Sequence, residues 1–137
     1  MPFIGPIEDR LAIRELLDAY SDAVCQFDAE AWGALWAEDS VWLLPDYPEF
    51  GETRGKAAIV NMWVNAMNAY PGVIFVTTPG SIVVKGDRAE VRAYTSEVYD
   101  QDGATKRDRG FYEDICVKVN GQWLFQSRTF RNIHRQH

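Results

Sequence analysis

Histidine, cysteine and basic charge are scarce in this chain. Of 137 residues two are histidine and two are cysteine, and 14 Lys plus Arg stand against 20 Asp plus Glu, a formal net charge of −6. Both histidines, His134 and His137, fall at the C-terminal end, where a solvated tail is expected rather than a ligand pair. Counting alone therefore nearly excludes histidine-based triads, and no metal site is expected. Cys25 and Cys116 are distant in sequence, with no basic-then-apolar export signal at the N-terminus. Two free, buried thiols are expected rather than a disulfide. The acidic balance argues against a nucleic-acid partner, because phosphate-backbone binders concentrate Lys and Arg. The longest apolar runs, such as Val73 to Val76, fall far short of the roughly 20 residues of a membrane-spanning helix. A cytoplasmic protein with no membrane partner is the expectation.

What the chain has in quantity is apolar and aromatic residues, 47% and 13% of the total. A chain of this size buries roughly two-thirds of its unfolded surface, so residues 1–137 are expected to form one domain. Ile13, Leu16, Leu17, Tyr20, Val24 and Phe27 fall on one stripe, which predicts an amphipathic helix over residues 7–27. Asp28 follows as a candidate N-cap, and Trp32, Leu35 and Trp36 at i, i+3 and i+4 predict a second helix over residues 29–37. Val41 to Leu44 reads as a short strand, and a Pro- and Gly-punctuated loop leads to a third helix from Ile59 to Tyr70. From Val73 onward four strands are expected, divided by the turn signals Gly86-Asp87, Asp102-Gly103 and Asn120-Gly121. Pro79-Gly80 predicts a bulge that bends the first of them. The fold class expected is α+β, a curved antiparallel sheet forming a cone-shaped barrel closed by three N-terminal helices around an internal pocket.

Several familiar motifs fail on inspection. Gly51-Glu52-Thr53-Arg54-Gly55-Lys56-Ala57 has three residues between its glycines instead of four and no Ser or Thr after the lysine, so it is not a phosphate loop. Nucleophile elbows, Cys-x-x-Cys pairs and dinucleotide fingerprints do not occur. A polar constellation remains. In the strand beginning at Arg88, period-two geometry puts Thr95, Glu97 and Tyr99 on the apolar face with Ala89, Val91 and Ala93. A carboxyl facing a core is costly and titrates high, as a general acid or base does. Otherwise Glu97 reaches solvent at the strand end, or pairs with an arginine. Arg128, in phase with Leu124, Gln126 and Phe130, is a candidate to anchor Glu97 or a substrate anion.

The order of elements and several phrases resemble the SnoaL-like branch of the nuclear transport factor 2-like superfamily. They are Ile7-Glu8-Asp9-Arg10, Phe27-Asp28, Phe75-Val76-Thr77-Thr78-Pro79, Gly110-Phe111-Tyr112-Glu113-Asp114 and Gly121-Gln122-Trp123. That group includes scytalone dehydratase, hexachlorocyclohexane dehydrochlorinase, bile-acid dehydratase and ketosteroid isomerase. The resemblance implies a small-molecule lyase or isomerase. Asp28 matches the aspartate of the dehydratases' His-Asp pair, and the histidine's position falls on Ile74. Glu97 matches an inward acidic residue, Arg128 a pocket arginine, Tyr112 a cavity aromatic, and Tyr20 the phenol donor of the isomerases. The isomerase base falls near Leu44, where there is no carboxylate.

The chemistry expected is cofactor-independent acid–base catalysis on a hydrophobic cyclic substrate, carried by Asp28, Glu97, Tyr112 and Arg128. Tyr20, Trp42, Trp63, Ile74, Thr95 and Tyr99 are expected to line the substrate pocket. The alternative is a non-catalytic ligand-binding or assembly subunit like the β-subunits of ring-hydroxylating dioxygenases. The outward residues Glu90, Arg92, Tyr94 and Ser96 suit either solvent or a homo-oligomer, a dimer or trimer built sheet to sheet.

Overall fold

Alternation along four long strands organises the molecule. The computed structural model describes residues 2–135. The elements run β1 (Phe3–Ile4), α1 (Ile7–Gln26), α2 (Ala29–Gly33), β2 (Trp36–Leu44), β3 (Gly51–Arg54) and α3 (Lys56–Ala66), with a 3-10 turn at Met67–Ala69. Then follow β4 (Ile74–Lys85), β5 (Arg88–Gln101), β6 (Ala104–Val119) and β7 (Gln122–Arg135). The β4-to-β7 meander is joined where the turn residues predict. Asp102 and Gly103, and likewise Asn120 and Gly121, all have positive φ, as tight turns matched to strand twist require. The β4–β5 register shifts between Pro79 and Ser81, at the predicted bulge.

The seven strands form one sheet in the order β1-β4-β5-β6-β7-β2-β3. It is mixed, not antiparallel throughout, since β1 runs parallel to β4 and β2 parallel to β7. It is an open sheet with β1 and β3 at its edges, not a closed barrel. Local periodicity is blind to the β2–β7 pairing, because most of the chain lies between the two strands. The short edge strands β1 and β3 fall where composition indicated a terminus and a loop.

Helix lengths differ from expectation for local reasons. Phe27 takes a left-handed φ of 51° and ends α1, so its ring leaves the buried stripe and stacks on Trp63 at 5.4 Å. The second helix stops at Gly33, and Trp36 opens a strand opposite Phe125. Both Trp32 and Trp36 are fully buried, each contributing about 1.5–3 kcal/mol by the area it removes from water. Strand β7 continues through Arg135, which puts His134 in the ladder opposite Arg109. His137 lies outside the described residues. Cys25 and Cys116 are both free, the first partly buried and the second buried.

Two of the recognisable sequence phrases meet in space. Asp9 on α1 accepts hydrogen bonds from Trp123 Nε1 at 3.0 Å and Lys118 Nζ at 3.1 Å, and these bonds hold its carboxyl below the usual range. They pin one end of α1 to the β6–β7 hairpin. Farther along, Ser21 Oγ and Thr77 Oγ1 share a hydrogen bond of 2.9 Å, which ties α1 to β4. No helix among the described residues is long and apolar enough to cross a membrane.

Candidate active site

The inner sheet face, α1, α3 and the loop between β2 and β3 line an open-mouthed cavity of about 660 Å³. Apolar and aromatic groups make most of its wall, including Trp42 of β2, Trp63 of α3, Phe75 of β4 and Phe130 of β7. Phe130 lies close over Gly110, where an added Cβ would sit 2.5 Å from the ring. Glycine at this position therefore gives the ring its place in the wall. Among the polar groups in this lining are the Glu97 carboxyl and the phenols of Tyr20 and Tyr112.

Glu97 is partly buried, and burial pushes its carboxyl up to about 7 from 4.5, with the Asp108 carboxylate adding to the effect. Among the described residues no hydrogen bond or ion pair compensates it. Asp108 faces Glu97 across the β5–β6 ladder and accepts a hydrogen bond of 2.8 Å from Tyr99 Oη. Glu97 is thus available in both protonation states near neutral pH, the condition under which one side chain can take and return a proton.

The phenols form a second polar centre. Tyr20 Oη and Tyr112 Oη lie 3.4 Å apart, and Trp42 Nε1 donates to Tyr112 Oη at 3.2 Å. Two phenols carry two hydrogens, of which at most one bridges them, so one O–H remains for a third partner. Burial raises both phenols above their ordinary range, so they stay neutral donors. Beneath them, the Arg128 guanidinium lies 4.4 Å from the Tyr20 ring centre and 3.6 Å from that of Tyr112. Its Nε and Nη2 donate to the two Asp114 oxygens at 2.8 and 3.0 Å. Burial works against this cation, yet Asp114 and the two phenols hold its proton more tightly than usual.

The structure distributes the ten residues singled out from sequence as follows. Tyr20, Trp42, Trp63, Glu97 and Tyr112 line the cavity. Arg128 does not meet Glu97; it pairs with Asp114, its direct neighbour in the β6–β7 register. Nor does it share a face with Leu124 and Gln126. The ladder shifts between Phe125 and Ser127, and this irregularity puts Arg128 in line with the buried Trp123, Phe125 and Phe130. Ile74 is 55% exposed, whereas Phe75 is buried and lines the cavity. Strand alternation thus places the inward residue one position later than the resemblance suggested. Thr95 and Tyr99 are buried on the inner face but outside the cavity lining, Tyr99 being engaged by Asp108.

Asp28 also lies outside the lining. Its side chain is at the surface and accepts from the Ala31 N–H at 3.0 Å, capping α2. Asp28→Ala is expected to cost about 1 kcal/mol of stability and to leave ligand binding in the cavity unchanged. Urea unfolding and ligand-induced thermal shifts check this, and weakened ligand binding would return Asp28 to the site. Asp108, Asp114 and Phe75 were missed from sequence. The alternation that found Glu97 also reaches Asp108 and Asp114, which flank Tyr112 on the inward face of β6 at even spacing.

A mixed sheet with helices packed on it, and a cavity holding a high-titrating carboxyl among aromatic rings, defines an α+β protein with an aromatic-lined cavity. Within that class the chain belongs to the SnoaL-like domain family, which matches residues 6–129. It is similar to a solved structure from Novosphingobium aromaticivorans provisionally named a scytalone dehydratase, at 23% identity and a TM-score of 0.82, covering 96% of this chain and 89% of that one. A second protein from that organism, provisionally named an aromatic ring hydroxylase, is 26% identical with a TM-score of 0.80, covering 95% and 92%. A type 2 hexachlorocyclohexane dehydrochlorinase, LinA, is 15% identical with a TM-score of 0.83, covering 95% and 88%. Among curated proteins none matches the chain.

Proposed function

We propose that this protein is a lyase or isomerase of dehydratase type, which uses acid–base chemistry without a cofactor on a hydrophobic cyclic substrate. The observation that carries the reading is Glu97, a carboxyl brought to about 7 in the wall of an aromatic cavity that also holds a spare phenol hydrogen. A ring oxygen of the substrate binds at the Tyr20–Tyr112 pair, and the Glu97 carboxylate takes a proton from carbon nearby. The charge that develops on the oxygen is met by the phenol hydrogen, and Glu97 returns its proton to another carbon or to a leaving group. Arg128 acts here as a support for the two phenol rings, and Asp28 as a helix cap. The SnoaL-like family, with neighbours named for dehydration and dehydrochlorination, favours the same class.

The test compares β-tetralone with tetralin, the same ring system without oxygen. The ketone is expected to stabilise the parent protein thermally, and Tyr112→Phe to weaken its binding about tenfold, as loss of one hydrogen bond of about 1–1.5 kcal/mol implies. Tetralin binding changes little in that variant. Equal losses for both ligands would remove the phenol pair from the site.

A second reading, an assembly subunit without catalysis, is favoured by one observation. Ile74, Val76 and Tyr94 are 55%, 53% and 45% exposed, on the side of β4 and β5 away from the cavity. Such a face suits self-association sheet to sheet. Sedimentation of the parent and a Val76→Lys variant separates this property from turnover.

A further inference from the structure

Glu97 does not stand alone at the cavity wall. Asp108 is its direct partner in the β5–β6 register, and both belong to the inward-facing rows of their strands. Directly opposed residues in an antiparallel ladder have Cβ atoms about 5 Å apart. The two carboxyls differ in their other contacts. Asp108 is 4% exposed, outside the cavity lining, and accepts the Tyr99 hydroxyl at 2.8 Å. Glu97 faces the cavity. Two carboxylates opposed across a ladder in a poorly hydrated wall resist carrying two charges, and a proton settles on the member less well supplied with donors. The Tyr99 hydroxyl supports negative charge on Asp108, so the proton is directed to Glu97.

We propose that Asp108, opposed to Glu97 across the ladder, is a positioning residue whose charge strengthens the hold of Glu97 on the proton it exchanges with substrate. The proposal rests on the acid–base reading of Glu97 given above. In the proton transfer a C–H bond of the substrate breaks, its electron pair stays on the substrate, and an O–H bond forms on Glu97. Repulsion from Asp108 favours that O–H bond, and the same proton later returns to the substrate, so Glu97 ends each cycle as it began. Other titratable groups around the pair are the phenols of Tyr20, Tyr47, Tyr70 and Tyr99, with Arg135 and Glu49 on the cavity lining. Burial raises all four phenols, so they remain neutral where Glu97 titrates. Asp114 is committed to Arg128.

The test is carboxyl-carbon NMR of the full chain, titrated through the acidic and neutral range, with the Glu97 signal assigned by its absence in Glu97→Gln. In Asp108→Asn the proton affinity of Glu97 is expected to fall about tenfold, the effect of removing one adjacent like charge. An unchanged or increased affinity overturns the proposal. If Asp108→Asn does not fold, the parent decides the matter. The Glu97 midpoint is then expected to fall as salt is raised, because screening weakens the repulsion from a like charge, whereas a salt-independent midpoint overturns the proposal. This readout does not depend on turnover. A protein without activity but with coupled carboxyls would refute the acid–base function and keep the pair, and the converse holds as well.

Discussion

Asp114→Ala is expected to cost about 3–5 kcal/mol of folding stability, because it leaves a buried guanidinium without its counter-charge. Both side chains of the pair are essentially inaccessible to solvent, and two hydrogen bonds of 2.8 and 3.0 Å join them. Arg128 cannot escape the charge by deprotonating, and its remaining neighbours are the faces of Tyr20, Tyr112 and Phe125. A cation over such rings gains on the order of 2 kcal/mol when desolvated, too little to replace the carboxylate. The double variant Arg128→Met with Asp114→Leu is expected to lie close to the parent in stability, since an apolar pair of similar volume avoids the desolvation cost. It should nevertheless bind β-tetralone less well, as the two phenol rings lose the planar group that spaces them. Urea unfolding of the three proteins tests the first point. A loss under about 1 kcal/mol in Asp114→Ala would mean that the pair is not the buried anchor described here.

Glu97→Gln is expected to reduce turnover by a factor of roughly 10² to 10⁴, the range supplied by a positioned general acid or base, and at the same time to stabilise the protein above neutral pH. The sign follows from proton counts. In the unfolded chain a glutamate releases its proton near 4.3, whereas in the folded protein Glu97 keeps it up to about 7. Between these values the native state binds more protons than the unfolded one, so stability falls as pH rises through the window. Above the folded value the accumulated loss is about 3.5–4 kcal/mol, and glutamine, which cannot ionise, is spared it. The difference in urea midpoint between variant and parent should be small near pH 4 and widen in favour of the variant until about pH 8. A gap that stays constant with pH would show that Glu97 does not titrate high in the folded state.

The elements legible in the sequence are those fixed by local geometry. Asp102-Gly103 and Asn120-Gly121 announce their turns because few other residues adopt positive φ, and the alternation from Arg88 onward brings Glu97 inward along an uninterrupted β5. The same reasoning misplaced Arg128, because an irregularity at Gln126 changes the phase of β7 and depends on pairing with β6. The family resemblance put the histidine's position on Ile74, whereas the strand turns Phe75 inward. The parallel pairing of β2 with β7 brings Trp42 beside Arg128 in register, and no local period encodes a contact between such distant segments. Within the site, five cavity residues were legible as an apolar face with polar interruptions. The partners that tune them, Asp108 and Asp114, were passed over although the same period reaches both. Asp28 carried both a cap reading and a catalytic one, and the side-chain hydrogen bond to Ala31 accounts for the first.

Proton exchange between Glu97 and carbon in an oxygen-binding aromatic cavity is read out by solvent deuterium exchange. β-Tetralone is incubated with the protein in D₂O and followed by proton NMR as its acidic methylene signal disappears. Exchange is expected to run faster than in buffer alone, rising with pH to a plateau with its inflection near the Glu97 midpoint of about 7, and to fall to the buffer rate in Glu97→Gln. Exchange no faster than in buffer, or equally fast with glutamine at position 97, would contradict this role of Glu97.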